Sequence, residues 1–108
     1  MIDIRYGRIE GCHVLTMRGH AEYNQKGEDI VCAGVSAITY AMLGWLANHD
    51  TNQLYKVVEP GETMIICQEA PEIDIAFEVA NIGLAQIAHK YPDNVTITYS
   101  AAGGDSRE

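Results

Sequence analysis

Two residues, His20 and Cys32, have the types and the setting that nucleophilic catalysis requires. Asp29 has the chemistry of a helix N-cap, which would place Cys32 at the third position of the helix that follows. At that position unpaired backbone N–H groups and the positive end of the helix dipole stabilise a thiolate over a thiol. If the intervening chain folds back, His20 can share a proton with Cys32, and a thiolate–imidazolium pair is nucleophilic near neutral pH.

A purely structural interpretation of the same residue types is also open. By position alone, a cysteine on a helix is more often a buried apolar residue, and a lone histidine is more often a hydrogen-bonded side chain. Cys12 and Cys67 lie within strand patterns, away from any predicted helix start, and we expect both in the core. The other histidines, His13, His49 and His89, show no spacing that is typical of a metal site. The sequence therefore predicts no metal site.

Asp29 and Ser36 are the candidate supporting residues. Asp29 could orient the imidazole of His20 as the third member of a triad, but its role as an N-cap fully explains it as well. Ser36 lies one helical turn after Cys32, so its hydroxyl can line the site or bond back to the Cys32 carbonyl. Both pairs of alternatives stay open at this point.

Hydrophobic periodicity predicts seven elements around these residues. The predicted strands are 2–6, 12–17, 53–58, 63–67 and 95–99, and the predicted helices are 30–48 and 71–91. Pro60 and Gly61 supply the turn between the third and fourth strands. The order ββαββαβ favours an α/β (α+β) sandwich, in which a mixed or largely antiparallel sheet carries two helices on one face. We assign residues 1–100 to a single domain and 101–108 to a flexible tail.

Composition limits the class of protein and of partner. The 108 residues carry a formal net charge of -8, which disfavours a nucleic-acid partner and suits a basic protein or peptide, although many acidic proteins are simply soluble. No secretory signal and no uninterrupted apolar stretch long enough for a membrane span are visible in the sequence. The three cysteines are odd in number and far apart, which favours free thiols in a reducing cytoplasm over a disulfide framework.

The segment from Gly19 to Ala37 resembles the ribosomal-processing cysteine proteases. The mark of that family is GHA, followed by a loop and by a helix start of the form G-x-DIVCA-x-x-SA. Here the sequence reads GHA at 19–21, GEDIVCA at 27–33 and SA at 36–37. The chain length and the ββα opening also fit, so the resemblance covers essentially the whole chain, but only this segment is specific.

The resemblance implies a dimeric cysteine endopeptidase that removes a short N-terminal extension from a large-subunit bacterial ribosomal protein. The substrate would be basic and cut next to an aromatic residue, His20 and Cys32 would be the catalytic pair, and no cofactor would be needed. Asp29 and Ser36 would be supporting positions. Cys32 would attack the scissile carbonyl, N–H groups at the helix start would hold the oxyanion, and His20 would protonate the leaving amine. The polar loop 21–28 would close over the peptide.

Two rival functions remain at this stage. In the first, the same surface is a non-catalytic protein-binding module and Cys32 is an inert packing residue. In the second, the chemistry is kept but the substrate is a phage structural protein. A reactive Cys32 thiol would count against the first rival, and the identity of the cleaved protein would decide the second.

Overall fold

The fold has the predicted order of strands and helices. The computed structural model describes residues 1–21, 29–49 and 53–100. Its elements are β1 (Ile2–Ile9), β2 (Cys12–Arg18), α1 (Ile30–Asn48), β3 (Gln53–Glu59), β4 (Glu62–Gln68), α2 (Pro71–Lys90) and β5 (Val95–Tyr99). The order ββαββαβ is confirmed, and β1 extends three residues beyond its predicted end. The tail predicted at 101–108 lies outside the described residues.

The five strands form one mixed sheet in the order β3-β4-β2-β1-β5. Three neighbouring pairs are antiparallel, and β5 lies parallel to β1 at one edge. Along β2, His13, Leu15 and Met17 are buried, while the residues between them are half-buried. This alternation shows that one sheet face is covered. Both helices contribute to the core on that face, with Val35 and Phe77 among their buried residues.

The two helices begin in different ways. At α1, the Asp29 carboxylate accepts hydrogen bonds from the N–H groups of Val31 and Cys32, as an N-cap does. At α2 the N-cap residue is Ala70, whose methyl side chain cannot accept a hydrogen bond, but Pro71 starts the helix and two acidic residues lie in the first turn. Proline lacks the N–H that would otherwise be unpaired there, and the acidic side chains complement the helix dipole.

Helix α1 is also long and apolar enough to cross a membrane, when judged by length and composition alone. This differs from the expectation from sequence, which finds no uninterrupted apolar stretch long enough for a membrane span. A core helix of a soluble protein meets the same criterion. In this fold Val31, Val35, Met42 and Leu46 of α1 are buried in the core that the helix shares with the sheet.

A buried polar network fixes the start of α2 to the β1–β2 hairpin. The His13 ring is fully buried and stacks on Phe77, with ring centroids 4.4 Å apart. His13 Nδ1 lies 2.6 Å from the Tyr6 hydroxyl, and Nε2 lies 2.6 Å from Asp74 Oδ1. A neutral ring satisfies both bonds, because Nε2–H donates to the carboxylate while Nδ1 accepts from the hydroxyl. Sequence patterns did not predict this network, since Asp74 is 61 residues away.

This network predicts a pH-dependent stability. Burial lowers the pKa of His13, and the hydrogen bond to Asp74 opposes that shift without cancelling it. The unfolded chain therefore binds a proton at His13 more readily than the folded chain does. Stability should fall as the pH drops below the unfolded-state pKa of about 6.5.

The variant His13→Leu separates the contribution of His13 to the pH dependence of stability from the contributions of the other titrating groups. It should cost about 2 kcal/mol at pH 7.5, because the Tyr6 hydroxyl and Asp74 lose their partner. Between pH 7.5 and 5.5 its free energy of unfolding should decline less steeply than that of the parent, as measured by urea titration. Parallel declines in parent and variant would contradict the assignment.

Candidate active site

His20 and Cys32 share the walls of one cleft of about 200 Å³. The cleft lies where β2 ends, α1 begins and the β3–β4 turn folds across. Its lining includes both of these residues together with Ser36, Tyr40, Glu59 and Glu62. The predicted catalytic pair is thus brought to one place by elements that are remote in sequence.

Cys32 lies in the first turn of α1 and is half-buried. Its backbone N–H bonds to Asp29 Oδ1 at 2.9 Å, the Val31 N–H bonds to the same oxygen at 3.0 Å, and the Ala33 N–H bonds to the Asp29 carbonyl at 3.0 Å. The expectation that these N–H groups stand unpaired and can hold an oxyanion is therefore wrong. The helix dipole still favours negative charge on the sulfur.

A different backbone donor reaches the Cys32 sulfur. The N–H of Ala21 donates to Sγ over 3.4 Å, and the Ala21 side chain is buried. Ala21 follows directly after His20, so the segment that carries the histidine also carries a donor to the nucleophile. Such a donor stabilises a thiolate more than it stabilises a thiol, because the hydrogen bond is then charge-assisted.

His20 is exposed, and it lies against the β3–β4 turn. The N–H of Gly19 donates to the Gly61 carbonyl at 2.9 Å, and the Met1 amino group donates to the His20 carbonyl. A Cβ atom on Gly61 would lie 2.9 Å from His20 Nε2. The imidazole can lie against this turn because Gly61 has no side chain. The sequence predicts a turn at Gly61, but no pattern in it connects Gly61 with His20.

Within the described part of the chain, no hydrogen bond joins the His20 ring to the Cys32 sulfur. Catalytic hydrogen bonds in proteins without bound substrate are often long and tighten in the complex. Of the loop 21–28 that is predicted to close over the peptide, residues 22–28 lie outside the described residues.

The supporting residues take up separate positions. Asp29 caps α1, as the sequence predicts, and the cap holds the turn that carries Cys32. Ser36 is exposed and lines the cleft. No hydrogen bond from its hydroxyl to the Cys32 carbonyl occurs among the described residues, which favours the first of its two predicted roles.

The other two cysteines lie away from the cleft, in β2 and β4, at the end of the sheet that carries the His13 network. Cys67 is fully buried, as predicted, and desolvation raises the pKa of its thiol to about 11. It is therefore an unreactive thiol at neutral pH. Cys12 is half-buried and not in the core, because it lies on the sheet face that the helices leave uncovered.

Comparison with known proteins identifies relatives of the chain. A family profile described as "Cysteine protease Prp" matches residues 1–96. Among curated proteins, the "Ribosomal processing cysteine protease Prp" of Mycoplasma genitalium is 30% identical over 83 residues, which are 77% of this chain and 84% of the relative. The protein of the same name from Mycoplasma pneumoniae is 31% identical over 84 residues, or 78% of this chain and 84% of the relative.

Solved structures share the fold. An essential ribosomal processing protease Prp from S. aureus, in complex with a covalently linked product peptide, superposes with a TM-score of 0.83 at 23% identity, covering 93% of this chain and 100% of that one. The protein SMU.848 from Streptococcus mutans gives a TM-score of 0.73 at 25% identity, covering 92% and 93%. Since the profile spans most of the sequence and both Mycoplasma relatives are at least 30% identical over more than two thirds of it, the chain belongs to the Prp family of cysteine proteases.

Proposed function

We propose that this cysteine protease removes a short N-terminal extension from a large-subunit ribosomal protein, with Cys32 as the nucleophile and His20 as its acid and base. The observation that carries the assignment of residues is the cleft, because His20 and Cys32 both line it. The names of the curated relatives, which are ribosomal processing proteases, support the substrate class.

The chemistry follows from the two side chains. His20 takes the proton of the Cys32 thiol, and the thiolate attacks the scissile carbonyl carbon. The tetrahedral adduct collapses as the C–N bond breaks, and the imidazolium gives its proton to the leaving amine. Water, deprotonated by His20, then attacks the thioester and releases the extension with a new carboxylate. Cys32 regains its proton, so the enzyme returns to its starting state.

The rim of the cleft supports a basic substrate. Glu59 and Glu62 line the cleft at the β3–β4 turn and are exposed. Together with a net charge of -8, they favour lysine and arginine side chains in the bound segment. The same charge disfavours a nucleic-acid partner. Tyr40 and Val35 supply apolar wall on the opposite side, where an aromatic residue of the substrate can pack.

The helices offer a surface for a second copy of the chain. Ile75 and Val79 of α2 are 60% and 64% exposed, and they line an apolar groove of about 500 Å³ between α1 and α2. Contiguous apolar surface of this kind is uncommon on monomers. A homodimer that covers this face accounts for it, and sedimentation velocity should give twice the mass of one chain. Free cysteines suit a cytoplasmic location for that dimer.

The substrate assignment is tested with a matched pair of proteins. One is the ribosomal protein carrying its native N-terminal extension, and the other is the same protein without it. Intact-mass analysis should show loss of the extension from the first and no change in the second. Cleavage should slow as salt is raised to about 0.5 M, because the Debye length shortens and the acidic rim is screened. A precursor that stays intact at equimolar enzyme would overturn the assignment.

A further inference from the structure

The backbone of Ala21 is held on both sides. On its amide side the N–H donates to Cys32 Sγ over 3.4 Å. On its carbonyl side the oxygen accepts a hydrogen bond from Asn94 Nδ2 at 2.9 Å. Asn94 is 73 residues further along the chain and does not belong to the cleft lining described above. A side chain outside the cleft is thus bonded to the residue that contacts the catalytic sulfur.

Asn94 is itself fixed in place by its backbone. Its N–H donates to the Tyr91 carbonyl at 2.9 Å, which closes the turn after α2. Its carbonyl accepts from the Ile2 N–H at 2.8 Å, at the start of β1. Both bonds use main-chain atoms, so they persist when the side chain is changed. The side-chain amide therefore extends from a fixed stretch of backbone to Ala21, which follows the end of β2.

This support matters because the donor to the sulfur is set by the position of Ala21. A hydrogen bond weakens steeply as its distance and angle depart from the optimum, and the bond to Sγ is already long at 3.4 Å. Losing the Asn94 bond would leave the Ala21 carbonyl without this donor and give the segment freedom to move. The N–H would then spend less time directed at the sulfur.

We propose that Asn94 is a positioning residue for Cys32, which holds Ala21 so that its N–H stabilises the thiolate. The inference rests on the proposed role of Cys32 as the nucleophile. Because the thiolate is the reactive form, the loss of Asn94 lowers the reactive fraction of Cys32 at neutral pH. It should lower kcat and leave KM nearly unchanged, since Asn94 lies outside the cleft that receives the peptide.

The test follows alkylation of Cys32 by iodoacetamide across pH, with no substrate present, and maps the label by peptide mass. In Asn94→Ala the rate at pH 7 should fall roughly tenfold, and the half-maximal pH should rise by about one unit. Asn94→Asp keeps the shape but replaces the donor with an acceptor, so it should be at least as defective. Asn94→Gln keeps the amide and should recover part of the rate.

Two controls separate positioning from stability. Asp93→Ala alters the same turn but not the amide, and it should alkylate at the parent rate. Urea unfolding of each variant shows whether the fold is intact. If Asn94→Ala does not fold, Asn94→Asp takes its place as the variant that lacks the donor. A parent-like pH profile in a folded variant that lacks the donor would overturn the proposal. Alkylation needs no substrate. If the parent does not cleave the precursor but the Asn94 variants still alkylate more slowly than the parent, only the proposed function is contradicted.

Discussion

Replacing Cys32 with alanine is expected to lower kcat/KM for the precursor by about 10⁴-fold, because the atom that attacks the scissile carbonyl is removed. The fold should survive, since Cys32 is half-buried and the Asp29 cap bonds to its main-chain N–H, which alanine keeps. The measurement is the rate of product formation by intact mass, with far-ultraviolet circular dichroism to confirm folding.

Cys12→Ala is the matched control for this variant. Cys12 is also half-buried, but it lies at the start of β2, while the cleft lies where that strand ends. Its removal should leave the cleavage rate unchanged. Residual cleavage by Cys32→Ala within about tenfold of the parent would contradict the role of Cys32, since loss of a covalent nucleophile costs far more than this.

Gly61→Ala is expected to lower kcat/KM by about 10²-fold through displacement of His20. Gly61 has φ +77°, and its added Cβ would lie 2.9 Å from His20 Nε2. The imidazole is the end of an exposed side chain, so it would move away more easily than the turn would. A misplaced base transfers protons poorly, and activity should fall more than stability does.

Gly11→Ala provides the comparison. Gly11 has φ +78° in the β1–β2 turn, and no atom of a more distant described residue lies within 4 Å of the Cβ that alanine would add. Both variants should lose about 1 kcal/mol of stability, because alanine is disfavoured at positive φ. Only Gly61→Ala should also lose activity, as measured by cleavage kinetics beside urea titration. Equal activities in the two variants would show that the position of the His20 ring does not depend on the missing side chain at Gly61.

The local part of the site could be predicted from sequence. Asp29 and Cys32 are three residues apart, and an N-cap fixes the geometry between them without any distant contact. The strands and helices followed from hydrophobic periodicity for the same reason, since each pattern is local. The residue types made His20 a candidate partner of Cys32, but only the resemblance of the 19–37 segment favoured that role over a purely structural one.

The contacts that complete the site are non-local, and no pattern in the sequence indicates them. Gly61 reaches His20 because β4 pairs with β2, where Arg18 faces Glu62. Asn94 reaches Ala21 because β5 adds to the far side of β1. Strand order decides both contacts, and strand order could not be read from the hydrophobic pattern. The occupied N–H groups at the start of α1 were missed for another reason, because the cap that places Cys32 also consumes those donors.

In the proposed reaction, Cys32 forms a covalent intermediate with the substrate. This intermediate can be trapped by quenching the reaction with acid early in the first turnover and mapping the enzyme by peptide mass spectrometry. The N-terminal extension should be attached as a thioester to the peptide that contains Cys32, and the adduct should be absent from Cys32→Ala. An adduct on Cys12 or Cys67, or cleavage by Cys32→Ala at the parent rate, would contradict it.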